Sequence, residues 1–281
     1  MMASIFRHLE CLMYHQHPVE SLDPEEVADL PEERTLLVQV TSRALFEQAH
    51  PPGAVLVEPE HLIANVPPAP GKLPDPEQLS DLFSAIGYDA DKRIVALDAE
   101  GGGWAGRFLW TLDVIGHHDW AYLDGGLHGW HQAGLPLYQG IDDIEPTPVA
   151  LTISSDPTAE REAVLAGIDN PDCLIWDVRS AEEFAGLRSG SIRSGHIPGA
   201  VNLDWELLKH PEQPFRLCQS LEEIAQSLGL MQAADIITHC QTHHRSGLSY
   251  LVGRLLGLPI RAYPGSWAEW GNRDDTPIEI S

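Results

Sequence analysis

Basic side chains are scarce in this chain of 281 residues: 17 Lys and Arg stand against 42 Asp and Glu, a formal charge of −25. A polyanion needs clustered cations, so the balance argues against nucleic acid or an anionic membrane as partner. Cysteine is also sparse. Cys11, Cys173, Cys218 and Cys240 lie far apart, with no CxxC pair and no regular spacing. That argues against a disulfide scaffold and for a reducing compartment, the cytoplasm. Long apolar runs are missing, so no membrane span is expected. Residues 1–18 hold only Arg7 as a fixed positive charge and lack an Ala-x-Ala site. Neither a secretory signal nor an Arg-rich transit peptide is supported, and the stretch reads as an extension ahead of a fold beginning near Val19.

What is present is ordinary for a globular protein: 43% hydrophobic and 21% charged residues, in a length that suits about two domains. Alternating apolar strands and capped helices give an α/β pattern. Leu36–Val40, Ile94–Leu97 and Cys173–Trp176 read as buried strands. Asp75-Pro76-Glu77-Gln78 opens a helix with an N-cap, an N1 proline and a capping-box Gln, stopped at Gly87. Ser220-x-x-Glu223 reads as a second capping box, and Thr158–Ala166 as another helix. Prolines 146, 148 and 157 mark residues 141–157 as a linker between domains at 19–140 and 158–281.

One stretch concentrates chemistry. The β-branched run Asp235-Ile236-Ile237-Thr238-His239 ends at Cys240, then Gln241-Thr242-His243-His244-Arg245-Ser246 follow, and helical spacing resumes at Leu248, Leu251 and Leu255. Strand, tight loop and helix in that order place Cys240 at a strand's carboxyl end, facing loop amides and a helix amino terminus, which favour thiolate over thiol. A lone cysteine is more often a small core hydrophobe. Here its neighbours would make a poor apolar pocket, so Cys240 is the nucleophile candidate.

Cys-Gln-Thr-His-His-Arg followed by Ser-Gly resembles the six-residue active loop of the tandem-domain bacterial rhodaneses, the thiosulfate:cyanide sulfurtransferases. Asp177-Val178-Arg179 and Gly195-His196-Ile197-Pro198-Gly199-Ala200 resemble the family's DVR and GHIPGA segments, and Gly265-Ser266 with Trp270 its closing motif. The resemblance implies two tandem rhodanese-like domains, each a mainly parallel sheet flanked by helices, the first of them inactive. The two halves do align. Asp98 falls on Cys240 at an offset of 142 residues, His50-Pro51-Pro52-Gly53-Ala54 falls on His196–Ala200, and Gly125 with Trp130 falls on Gly265 with Trp270. The first copy has lost the cysteine and carries no basic side chain in Asp98–Gly103; a carboxylate there would repel an anionic substrate. Gly101-x-Gly103-x-x-Gly106 has the form of a dinucleotide fingerprint, but three glycines are weak evidence and the duplication already explains them.

The implied reaction moves sulfane sulfur from thiosulfate to cyanide or a thiol through a Cys240 persulfide, with no cofactor. Amides of Gln241 to Ser246 are the expected anion cradle, and Arg245 the group for the sulfonate end, because its fork can hold two oxygens. Thiosulfate feels mostly charges within about 8 Å, so a local cradle can override the acidic surface. Thr242, His243 and His244 complete the loop, the two histidines either partly cationic or plain hydrogen-bond donors. Asp177 and Arg179 read as an ion pair bracing the loop, His196 as a structural turn residue, and Trp205 as a wall of the site or an ordinary core aromatic. Glu183 stands where many family members place an Arg, and Gln241 and Thr242 where some place basic residues. Mercaptopyruvate as donor and a protein as persulfide acceptor therefore stay open. Cysteine-dependent phosphatases share the Cys…Arg-Ser-Gly pattern, but with five intervening residues where Cys240 and Arg245 have four. A metal on His239, Cys240, His243 and His244 is disfavoured because adjacent loop residues diverge. With one domain buried on the other, a monomer is expected.

Overall fold

The computed structural model describes residues 19–280; the expected extension at 1–18 lies outside them. The first half runs β1 (Glu20–Leu22), α1 (Pro24–Ala28), β2 (Thr35–Val40), α2 (Arg43–Gln48), β3 (Val55–Val57), α3 (Pro76–Ala85), β4 (Arg93–Leu97), α4 (Gly103–Val114), β5 (Trp120–Leu123) and α5 (Gly126–Gln132). Its sheet has the order β1-β5-β4-β2-β3 with every pairing parallel. Helices cover both faces, which is why β4 is apolar without alternation and buried from Ile94 to Leu97. At the head of α3 the Asp75 carboxylate accepts the Glu77 and Gln78 amides at 3.0 and 2.9 Å, and Gln78 accepts the Asp75 amide at 3.2 Å, the reciprocal cap that the sequence predicts.

The second half runs α6 (Arg161–Ile168), β6 (Cys173–Asp177), α7 (Ala181–Phe184), β7 (Val201–Asn202), α8 (Leu221–Ser227), β8 (Asp235–His239), α9 (Arg245–Leu255), β9 (Ile260–Ala262) and α10 (Ser266–Trp270). Its parallel order β7-β6-β8-β9 repeats β3-β2-β4-β5. A single parallel bridge from Thr158 to Ala262 stands where β1 pairs with β5 in the first half.

That bridge corrects one expectation: Thr158 is extended chain beside β9, and the helix begins only at Arg161. Ser220 corrects another. The helix after it forms, but Ser220 lies at φ −103°, ψ 27°, outside the extended backbone of a serine cap, and its hydroxyl points to Cys218 Sγ at 3.9 Å. Residues 141–154 carry no helix or strand. They lie along the first half, where the Thr147 amide donates to Ser84 O at 3.2 Å and the Ser154 amide to Val114 O at 2.7 Å.

The halves meet through α4 and α9, the helices that follow the two equivalent loops. Glycines let the backbones touch: a Cβ on Gly106 would lie 2.2 Å from Gly247 O, and one on Gly247 2.3 Å from Gly103 O. One apolar cluster crosses the junction and joins Phe108 and Trp110 to Leu248 and Leu251. Deep in it, buried Asp113 accepts Tyr250 Oη at 2.8 Å and pairs with Arg254. Packing these two helices sets the loops of Asp98 and Cys240 side by side.

Candidate active site

Strand β8 delivers Cys240 to the floor of the loop, where it is 1% exposed. Positive φ at His243 (58°) and at Ser266 (52°) gives the loop and its neighbour their tight curvature. Helix α10 latches the loop from outside: the Trp267 and Ala268 amides donate to Cys240 O and Gln241 O at 3.0 and 2.9 Å, and Ser266 Oγ accepts the Cys240 amide at 3.3 Å. Ser246 Oγ donates to Cys240 Sγ at 3.5 Å. Burial opposes ionisation of Cys240, but the Arg245 charge, the Ser246 hydroxyl and the Ser246 and Thr242 amides outweigh it and hold the thiol below its ordinary value. Cys173 shows the opposite, since burial pushes its thiol up to about 12.

The predicted loop residues divide in two. Gln241, Thr242, His244 and Arg245 are partly exposed; His243 and Ser246 are buried. Gln241 Nε2 donates to Ser191 Oγ at 3.2 Å, which ties the loop to the segment before β7. His243 faces away from solvent, its ring edge-on to Trp110 at 4.6 Å and its Nδ1 2.7 Å from Ser246 Oγ. Burial keeps it neutral, with Arg107 and His244 adding to the effect, so it is neither a cation of the loop nor placed to touch substrate. His244 stacks on Trp104 at 4.4 Å and hydrogen-bonds Glu100 of the first half. Trp205, 5.6 Å from the same ring, is a wall beside the loop and also covers Lys209, whose Nζ lies 3.5 Å above its centroid.

Arg245 needs a correction. Its fork is already filled: Nη1 and Nη2 donate to the two Glu183 oxygens at 2.7 and 3.0 Å. Although burial opposes ionisation of Glu183, Arg245 and Ser180 hold its carboxyl down at about 2. Arg245 therefore supplies charge to Cys240 and a brace to α7 rather than a free clamp for the sulfonate. Asp177 and Arg179 form the buried bracing pair that the sequence suggests, at 2.6 Å, with Arg179 also on Gly195 O and over the Trp267 ring. His196 is a turn residue, stacked on Phe184 and bonded to its carbonyl at 2.8 Å.

The aligned loop of the first half carries a finding that the sequence leaves hidden. Asp98 does not face a substrate; it is 1% exposed, and its carboxylate accepts the amides of Glu100, Gly101, Gly102 and Ala105 at 3.0–3.1 Å. The side chain occupies its own anion nest. Two loops at equivalent places in the two halves thus exist, one self-filled and one presenting a sulfur.

A family model described as rhodanese-like domain matches twice, over residues 23–133 and 160–273. The chain belongs to the rhodanese family. The thiosulfate sulfurtransferase of Azotobacter vinelandii is 42% identical over 263 residues, covering 93% of this chain and 96% of that one. The thiosulfate sulfurtransferase of Pseudomonas aeruginosa is 41% identical over 265 residues, covering 92% and 96%. Among solved structures, YnjE superposes with a TM-score of 0.82 at 20% identity, over 93% of this chain and 68% of its own, a likeness of fold. In this rhodanese the first copy also builds the wall of the second copy's site. Sequence reasoning misses Glu100 and Trp104 in that role. The only signal was their place after Asp98.

Proposed function

We propose that the chain is a thiosulfate sulfurtransferase working through a Cys240 persulfide. The observation that carries the reading is the buried Cys240 sulfur, with the Ser246 hydroxyl 3.5 Å away and the Thr242 and Ser246 amides aimed at it. These donors stabilise a single negative sulfur, whether thiolate or terminal persulfide. In the first step the thiolate attacks the outer sulfur of thiosulfate, the S–S bond of the donor breaks, and sulfite leaves with the bonding pair. In the second, cyanide carbon or a thiolate attacks the terminal persulfide sulfur, and Cys240 leaves as thiolate. Charge balances in both steps, and no external oxidant or proton donor is needed. The half-exposed Gln241, Thr242 and His244 ring the mouth, where the sulfonate of a bound donor would lie.

Intact mass before thiosulfate, after it, and after cyanide tests this directly, beside Cys240→Ala. The expected result is a gain of one sulfur in the wild type, erased by cyanide and absent in the variant. A wild type that gains no sulfur from thiosulfate overturns the reading.

A further inference from the structure

We infer that Gly71, in an arm of the first domain, is a positioning residue for the Cys240 loop: its backbone backs the Thr242–His243 peptide and so holds the left-handed turn at His243 that gives the loop its curvature. The inference deepens the sulfurtransferase reading and rests on it for its functional meaning.

The arm is residues 63–73, between β3 and α3. Its own backbone closes it: the Ala64 amide donates to Lys72 O at 2.7 Å and the Asn65 amide to Pro70 O at 2.9 Å. It reaches out of the first domain onto the second. A Cβ on Gly71 would lie 2.1 Å from Thr242 O and 2.7 Å from Pro264 O, so backbone meets backbone with no room for a methyl group. Lys72 pins the arm beside that contact, with Nζ 2.7 Å from a Glu160 oxygen and 3.7 Å from one of Glu269, both second-domain residues. Pro264 lies in the turn that leads to Ser266, whose hydroxyl accepts the Cys240 amide, so Gly71 touches the loop and its latch at once.

The peptide under Gly71 is the one that needs support. His243 follows it at φ 58°, a conformation that a residue with a Cβ adopts at a cost and keeps only where its surroundings over-determine it. Two of those surroundings come from the first domain: Gly71 against the carbonyl before the residue, and Trp110 edge-on to its ring at 4.6 Å. The self-filled loop is gripped in the same way. Gly101 aligns with His243 at the offset of 142 residues and is also left-handed, at φ 89°. The carbonyl before it, Glu100 O, accepts Lys209 Nζ at 3.0 Å, and a Cβ on Gly101 would lie 2.8 Å from Pro214 O. Residues 209–214 of the second domain align with 67–72 of the arm at the same offset. Each half therefore presses its arm on the equivalent turn of the other. In the Cys240 loop that turn lies between the Thr242 and Ser246 amides, two donors to the sulfur, so displacing it re-aims them.

Gly71→Ala forces the two backbones apart without adding or removing charge, so a change in the thiol reports where the amides point. Alkylation of Cys240 by iodoacetamide across pH should move its midpoint up by about half to one pH unit, with the rate at neutral pH roughly three- to tenfold lower. A folded Gly71→Ala with the wild-type midpoint overturns the inference, since a contact that only joins the domains would lower the melting temperature and leave the thiol alone. Should that variant fail to fold, Glu160→Gln decides. It loosens the Lys72 pin at an exposed site. Loss of a negative charge would by itself lower the midpoint or leave it, whereas release of the arm raises it. A Glu160→Gln midpoint at or below the wild-type value then overturns the inference. Neither readout uses a sulfur donor, so a protein that refused thiosulfate would still give both answers.

Discussion

His244 of the Cys240 loop hydrogen-bonds Glu100 of the self-filled loop, so the domain without a cysteine in its loop holds a residue at the mouth of the other domain's loop. Trp104 reinforces the contact by stacking on the same ring at 4.4 Å. Glu100 also places a partly exposed carboxylate beside the mouth of the Cys240 loop. Replacing it by Gln keeps its size and removes the charge. KM for thiosulfate should fall about two- to fivefold, the range of a partly exposed charge contact. A KM that rises would mean that Glu100 acts only by anchoring His244.

The rate should follow the ionisation of Cys240. Its thiol is held below the ordinary value of 9.0, so the acid limb of kcat/KM should lie below that pH, and activity should fall as pH drops through the lowered value. The sign for stability is the same: a group with a depressed folded pKa contributes above its unfolded value, and that contribution disappears as pH falls through the folded one. Cys173, pushed up to about 12, should stay unmodified when limited iodoacetamide labels Cys240 near neutral pH. Peptide mapping after brief labelling checks both.

Glu183 and Arg245 form a two-pronged pair at the edge of the loop. Glu183→Gln weakens it and removes the charge that offsets Arg245. The expected cost is about 1–3 kcal/mol of stability, together with a Cys240 alkylation midpoint at lower pH. Arg245→Gln should move that midpoint the other way. Urea unfolding and the alkylation profile separate the two effects.

Gly106→Ala attacks the domain junction. The new methyl would lie 2.2 Å from Gly247 O, a backbone atom that cannot swing aside, so α4 and α9 must separate. A loss of about 1–3 kcal/mol or more is expected, with a drop in kcat because α9 carries Arg245 and Ser246. A variant as stable and active as wild type would show that the crossing tolerates more space than the structure gives it.

Asp98→Cys, made in a Cys240→Ala background, should not restore sulfur uptake. The cradle amides remain, but Gly103 stands at the position aligned with Arg245, so the loop itself supplies no cation. Intact mass after thiosulfate measures this; a gain of one sulfur would show that amides alone suffice.

Much of this was legible in the chain. The run from Asp235 to Cys240 and the apolar spacing after Leu248 identify strand, loop and helix because both periods are set by local backbone geometry. The aligned segments around His50 and His196 expose the duplication. Illegible were the facts that depend on contacts between distant residues: that the Arg245 fork is taken by Glu183, that His243 turns inward, and that Ser220 does not cap its helix. Each is decided by a neighbour more than two residues away or by a backbone angle that residue type alone does not specify.

By itself the sequence determined two α/β copies, one nucleophile candidate at Cys240, and a partner loop without a cysteine, since periodicity, turn chemistry and residue type are local properties. Only the tertiary structure decided what the first copy is for. Glycines at 106 and 247 allow α4 and α9 to touch backbone to backbone, and that contact brings Glu100 and Trp104 to the wall of a loop more than a hundred residues away. Burial then sets the charges: it forces His243 neutral, leaves Cys240 to be rescued by Arg245 and the amides, and hides Asp98 in its own nest.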